Sequence, residues 1–253
     1  MISPTFQQLT GIRHAFLTRN LKGSSHIYSI PDAVKARASD PATQIERNLK
    51  IAQQNLGFPA SKISVLNQSH STRVITIDDT EAAAANEADA QVTNLSGIGL
   101  GVLTADCVPV LLADPIHRVI GAAHAGWKGA NDGIIEATIE RMNVLGAKVG
   151  DMTAAIGPCI GWDSYEVGPE FIETFLARTP ASQIFFKAST RPDHFLFDLP
   201  GFVTRKLRAV GLREVHDVGC DTYANPNDFF SYRRQTHKGE GFLGNLLSVV
   251  LME

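Results

Sequence analysis

Between Gly97 and Gly126 the chain carries two long apolar stretches, GIGLGVLTADCVPVLLAD and HRVIGAAHAG, on either side of the turn-like Asp114-Pro115-Ile116-His117. Runs of this kind around a turn with proline at its second position read as the two strands of a hairpin. If Asp114 faces His117 across a tight turn, the same step counted back along both strands sets Cys107 opposite His124. Directly opposed side chains have Cβ atoms about 5 Å apart, close enough for a thiolate and an imidazole to share one zinc at about 2.1–2.3 Å. Pro109, inside the first strand, implies an edge or a bulge, and bulges occur beside active sites.

Around this hairpin the pattern alternates between periods. Residues 12–18 read as a strand, and 43–56 as a helix, with Thr43 as N-cap, an apolar row at Ile45, Leu49, Ala52 and Leu56, and Gly57 as its stop. Strands follow at 62–67 and 73–77, with His70 in the connection between them. Asn131 or Asp132 is expected to cap a helix running to about Leu145 before Gly146, and 152–156 to form a strand. Pro169 suits the first position of a helix running to about Arg178, and another helix is expected over 199–210, ended by Gly211. Strand-like segments at 229–233 and 245–251 close the chain. Without strict βαβ alternation, repeats or a linker, the expectation is an α+β fold with residues 1–253 in one domain.

Composition narrows the function. The 253 residues, 44% of them apolar, suffice for a full core, and a net charge of −3 offers no basic surplus for a phosphate backbone, so no nucleic-acid partner is expected. Three cysteines, Cys107, Cys159 and Cys220, are too few for a disulfide framework and leave at least one free thiol, which fits a reducing compartment. The opening MISPTFQQLT has no signal-peptide pattern and no apolar run approaches the roughly 20 residues of a membrane span, so a cytoplasmic protein with no membrane partner is expected.

Taken singly, the candidate ligands have ordinary explanations: Cys107 as a small buried hydrophobe, His124 as a hydrogen-bonded strand histidine, His70 as a solvated loop residue. The surrounding words change their weight. LTADCVPVLLAD, GAAHAGWKGA, AAIGPCIGWDSYEVGPE and NDFFSYRRQTHKGE, in this order, resemble the family known variously as laccase-domain (multicopper) polyphenol oxidases, purine nucleoside phosphorylases and peptidoglycan editing factors. LTRNLKGSS, NQSHS and EADAQVTN add shorter matches. The resemblance implies that His70, Cys107 and His124 hold one zinc, and that the fold is a layered α-β-β-α sandwich of mixed sheets with helices outside. It also implies phosphorolysis of adenosine, inosine, guanosine and methylthioadenosine, with deamination of adenosine. The chain departs from the family's pattern where two arginines read Leu49 and Asn245, and in the glycine pair after Arg19.

Two histidines and one cysteinate leave a zinc with an open fourth position for water or substrate, as in catalytic sites. Phosphate needs cations nearby. Lys128, in a glycine-flanked loop just before a helix, and the planar forks of Arg233 or Arg234 are candidates. If the two arginines lie on a strand they point to opposite faces, so one at most enters a pocket. Arg19 is a candidate on the resemblance alone. Asp106, beside Cys107, reads as a proton carrier, a partner of the metal ligands or a turn residue; Tyr165 and Phe229 as purine-stacking or core aromatics; Cys159 and Cys220 as structural.

Three competing readings stand beside the zinc phosphorylase. His₂Cys also suits copper, but a laccase needs a further histidine-rich centre, and none of the six remaining histidines forms an H-x-H pair. Cys107 and His124 alone could act as nucleophile and base on amide bonds of peptidoglycan precursors. A metal-stapled binding module is the non-enzymatic reading, disfavoured because a domain of this size folds without a metal. Nothing in the sequence requires more than a monomer.

Overall fold

The computed structural model describes residues 1–19, 50, 53–54, 62–78, 87–241 and 244–253; of the helix expected over 43–56, residues 50 and 53–54 are helical and the rest, Leu49 included, lies outside the described residues. The described elements, in chain order, are α1 (Pro4–Gln7), β1 (Ile12–Phe16), β2 (Lys62–Val65), β3 (Val74–Thr76), β4 (Ala90–Thr93), β5 (Ile98–Thr104), β6 (Val108–Asp114), β7 (Val119–Ala125), α2 (Trp127–Asp132) and α3 (Ile134–Val144). They continue with β8 (Thr153–Ile156), β9 (Glu166–Val167), α4 (Pro169–Arg178), β10 (Phe186–Ala188), β11 (Phe195–Phe197), α5 (Leu199–Val210), β12 (Glu214–Asp217), α6 (Tyr232–Lys238) and β13 (Leu246–Met252). No described helix is long and apolar enough to cross a membrane.

Two mixed sheets form the centre. One runs β1-β13-β5-β2, the other β12-β8-β6-β7-β4-β3, and a small third sheet, β10-β11-β9, adds Val167 and Phe197 to the core beside the second. β6 shows why its sequence is apolar throughout. Leu111 and Ala113 turn to the other sheet, where Leu100, Val102, Val250 and Phe16 meet them. Val108, Val110 and Leu112 turn the opposite way, onto Ile135, Ile139 and Met142 of α3 and Val203 and Leu207 of α5. A strand covered on both faces loses the alternation that marks a half-exposed one. The fold is α+β, as expected, with mixed sheets flanked by helices.

The long stretch from Gly97 to Asp114 is two strands rather than one. β5 pairs with β13 and β2 in the first sheet, whereas β6 pairs with β7 and β8 in the second. The chain crosses between sheets through Ala105-Asp106-Cys107, where Asp106 takes a positive φ of 86°.

The hairpin register also differs from expectation. Pro109, not Cys107, faces His124, and Asp114 faces Val119. The Asp114 carboxylate accepts from the Ile116 and His117 amides at 3.0 Å each, and Arg118 takes a φ of 54°, so the turn holds 115–118 in place of a tight pair. Pro109 marks neither an edge nor a bulge. It is the second residue of a central strand, and its carbonyl accepts from the Gly157 amide.

Two further expectations are corrected. The helix after the hairpin is split by Gly133, whose φ of 109° a side chain rarely adopts, into α2 and α3; neither Asn131 nor Asp132 caps it. Residues 229–233 are not a strand. Ser231 accepts a hydrogen bond from the Arg234 amide at 3.1 Å and opens α6, which Gly239 ends in the left-handed conformation. α4 and α5 run as expected, with Pro169 at the first turn of one and Gly211 closing the other.

Candidate metal centre

The ends of the two central sheets bring three donors together from distant parts of the chain. His124 sits near the end of β7, Cys107 ends the crossover just before β6, and His70 lies in the loop between β2 and β3. Their ligand atoms all lie within 4.8 Å of one another. Cys107 Sγ is 3.8 Å from His70 Nε2, and the two imidazoles meet edge to face at 4.8 Å between centroids. Exposure falls from solvent-facing His70 through half-buried Cys107 to His124 at 4%, so the cluster opens to solvent on the His70 side.

Two backbone features bring these side chains so close. His70 takes a positive φ of 61°, and Asp106 beside Cys107 takes one of 86°. Such conformations in non-glycine residues cluster at functional sites, where surrounding contacts hold them. Gly126 supplies the third condition. A Cβ there would lie 2.8 Å from His70 Cδ2 and 3.2 Å from Cys107 Sγ.

Electrostatics favour the metal-binding thiolate of Cys107, paired with a protonated His124. Burial pushes the Cys107 thiol up, but the charge and hydrogen bonding of His124, and then of His70, outweigh it and draw the thiol below its ordinary range. Burial likewise works against a charged His124, yet the Cys107 thiolate and Asp89 hold its imidazolium above the usual histidine range. A thiolate with two imidazoles is a donor set for zinc, and it fits this cluster.

Asp89 was not among the residues singled out from the sequence. It precedes β4, is fully buried, and stands beside His124, whose amide donates to its carbonyl at 2.7 Å. Its Oδ1 accepts from His124 Nδ1 at 2.7 Å and from the His70 amide at 2.9 Å. Its Oδ2 accepts from the Ser71 amide and hydroxyl, each at 2.6 Å, and from the Ser69 amide at 3.3 Å. Burial opposes ionisation, but the bonds from His124 and Ser71 hold the carboxyl well below the usual carboxylate range. The available signal was the word EADAQVT, an acid inside an otherwise apolar strand start.

The remaining candidates separate. Asp106 Oδ1 accepts from Thr222 Oγ1 at 2.6 Å, and Oδ2 from Ser231 Oγ at 2.9 Å and the Arg233 amide at 2.7 Å, which binds the crossover to the start of α6. Arg233 donates to the Glu166 carbonyl at 2.6 Å and lies 5.1 Å over the Tyr165 ring. Arg234 is buried and spends its guanidinium on the carbonyls of Thr222, Tyr223 and Phe229. Arg19 donates to the Pro226 carbonyl and lies over Phe230. Lys128 is exposed in the first turn of α2, not in a loop before a helix, and has no ion-pair partner among the described residues.

Tyr165 belongs to an aromatic cluster with Phe171 and Phe197. Burial pushes its phenol up, and the Cys107 charge adds to this. Phe229 is core, packed with Phe230 and Leu246. Cys159 is buried and Cys220 half-buried, and burial pushes both thiols up. A second convergent group, Asp114, His117 and Asp151, is accounted for by its own bonds: both Asp114 oxygens are taken by the Ile116, His117 and Lys148 amides and by His117 Nδ1 at 2.8 Å.

Residues 13–253 match the family model described as multi-copper polyphenol oxidoreductase laccase. A purine nucleoside phosphorylase of Rickettsia conorii is 36% identical over 242 residues, covering 96% of this chain and 97% of the relative. One of Deinococcus radiodurans is 36% identical over 240 residues, covering 94% and 88%. Among solved structures, a Neisseria meningitidis protein superimposes with a TM-score of 0.80 at 30% identity, covering 96% of this chain and 95% of that one.

Proposed function

We propose that this chain, which belongs to the multi-copper polyphenol oxidoreductase laccase family, is a zinc-dependent purine nucleoside phosphorylase acting at His70, Cys107 and His124. The observation that carries the reading is the convergence of these three donors at a solvent-open edge, in a chain with relatives of that name matched over nearly their whole length. Zinc is preferred to copper because the donors form one mononuclear set, and among the described residues no second group of histidines converges to build a multicopper centre. Bound there, zinc supplies a Lewis acid with an open coordination position.

The chain's own residues do the rest. Asp89 holds the Nδ1 proton of His124, so Nε2 faces the cluster. Arg233, fixed by the Glu166 carbonyl and the Tyr165 ring, and Lys128, without an ion pair among the described residues, are the cations for phosphate. Asp106 serves by seating the helix that carries Arg233. Arg19 and Arg234 are committed to carbonyls and support the walls. Phosphate attack at C1′ of the ribose breaks the bond to the purine and yields ribose 1-phosphate. Adenosine, inosine, guanosine and methylthioadenosine share that bond, and deamination of adenosine is a companion reaction. The three cysteines, none in a disulfide, support a cytoplasmic location.

The Cys107 thiolate against His124 supports one second reading, amide hydrolysis of peptidoglycan precursors with Cys107 as nucleophile. Incubating metal-quantified protein with adenosine, with and without phosphate, decides between them. Phosphate-dependent adenine and ribose 1-phosphate are expected with about one zinc per chain, and Cys107→Ala should lower the rate more than about 100-fold. Absence of turnover by zinc-loaded protein would reject the phosphorylase and bring amide substrates forward.

A further inference from the structure

Both histidines of the cluster hang on one carboxylate. His124 comes from a strand and His70 from a loop, and among the described residues no backbone hydrogen bond joins that loop to β7 at His70. Asp89 makes the join: one oxygen holds the His124 ring and the His70 amide, the other holds the two serines flanking His70. Five donors converge on a side chain that, ionised, only accepts.

We infer that Asp89 is the positioning residue of the centre, setting which nitrogen of His124 faces the metal and holding His70 in its left-handed conformation, so that both ligands are preformed in the folded chain. The inference rests on the metal reading of the site and adds to it the residue that assembles the ligands.

Asparagine is the informative replacement, since it keeps the shape but has one oxygen and an NH₂ group. With that oxygen towards His124, the NH₂ group confronts the Ser71 and Ser69 amides, and the loop carrying His70 slackens. With the group reversed, NH₂ confronts the His70 amide and donates to His124 Nδ1, which moves the imidazole proton onto Nε2, the nitrogen that must bind metal. Either orientation disables one histidine. Ser71→Ala removes one donor to Asp89, the hydroxyl, together with the acceptor of the Arg73 amide, and leaves the His124 bond alone.

The test measures cobalt and zinc affinity by competition with a chromogenic chelator, with the visible spectrum of the cobalt protein and the ¹H–¹⁵N imidazole correlations of the zinc protein. In the wild type, one cluster histidine should show a solvent-protected Nδ1–H. In Asp89→Asn affinity should fall about 10- to 100-fold, with that resonance lost or the cobalt bands altered. Ser71→Ala should lose a few-fold in affinity, keep the His124 resonance, and decide the matter if Asp89→Asn does not fold. Wild-type affinity and resonances in Asp89→Asn, or unchanged affinity in Ser71→Ala where it alone folds, would overturn the inference. A wild type that binds neither ion would instead overturn the metal reading, and the inference with it.

Discussion

Cys107, His124 and His70 are unremarkable residues that their neighbours turn into a donor set. Gly126 is the clearest case. Its backbone, at φ −67° and ψ 164°, suits any residue, so the requirement for glycine is one of space beside His70 and Cys107. Gly126→Ala should therefore push the His70 ring out of the cluster. Zinc affinity is expected to fall about tenfold or more, while the unfolding free energy changes by less than about 1 kcal/mol; metal competition and urea titration on one preparation test both halves. The three donors were legible because each sits in a distinctive word. Asp89 was not, because a buried acid is recognised by its donors, and these come from a loop some twenty positions earlier and a strand thirty-five positions later.

At the scale of elements, α6 determines what the arginines do. A strand over 229–233 would have sent Arg233 and Arg234 to opposite faces; the helix instead buries Arg234 among carbonyls and leaves Arg233 over Tyr165. The Ser231 cap and its bond to Asp106 hold that helix against the crossover that bears Cys107. Ser231→Ala removes a helix cap and a buried bond to a carboxylate, so a loss of about 2 to 3 kcal/mol is expected in urea unfolding. In kinetics the KM for phosphate should rise more than that for the nucleoside, since Arg233 moves with the helix. The capping serine was present in the sequence, but the aromatic pair before it favoured the strand reading. The hairpin register slipped for a similar reason: Asp114 turns its carboxylate onto amides of its own loop, which lengthens the turn.

In the whole molecule, the first and last described strands close one sheet, β1 lying antiparallel on β13. His14 of β1 is buried with its Nε2 accepting from the Ser3 amide at 2.6 Å. Burial, helped by the Met1 ammonium, pushes this imidazole down to about 4. A histidine depressed in the folded state binds its proton more readily when unfolded. Its contribution is complete above the unfolded value of about 6.5 and is lost as pH falls towards 4. Stability should rise with pH across that window by up to about 1.4 kcal/mol per unit from this group. His14→Gln, which keeps an acceptor and removes the titration, should flatten the slope; equal slopes in denaturant melts from pH 4 to 7 would exclude His14 as the cause.

What the sequence determined by itself was local or carried in words: the apolar central hairpin, the α+β class, the helices at Pro169–Arg178 and Leu199–Val210 with their proline starts and glycine stop, and the three donor residues that the fold brings together. These depend on periodicity and on residues with strong backbone preferences, which act over a few positions. What the tertiary structure decided was where the chain leaves one sheet for the other, which partner each polar group finds, and so which acid holds the histidines and which carbonyls the arginines meet. A buried charge or an orphan amide must be satisfied by whatever the fold brings to it, and that partner stands at no fixed distance along the chain.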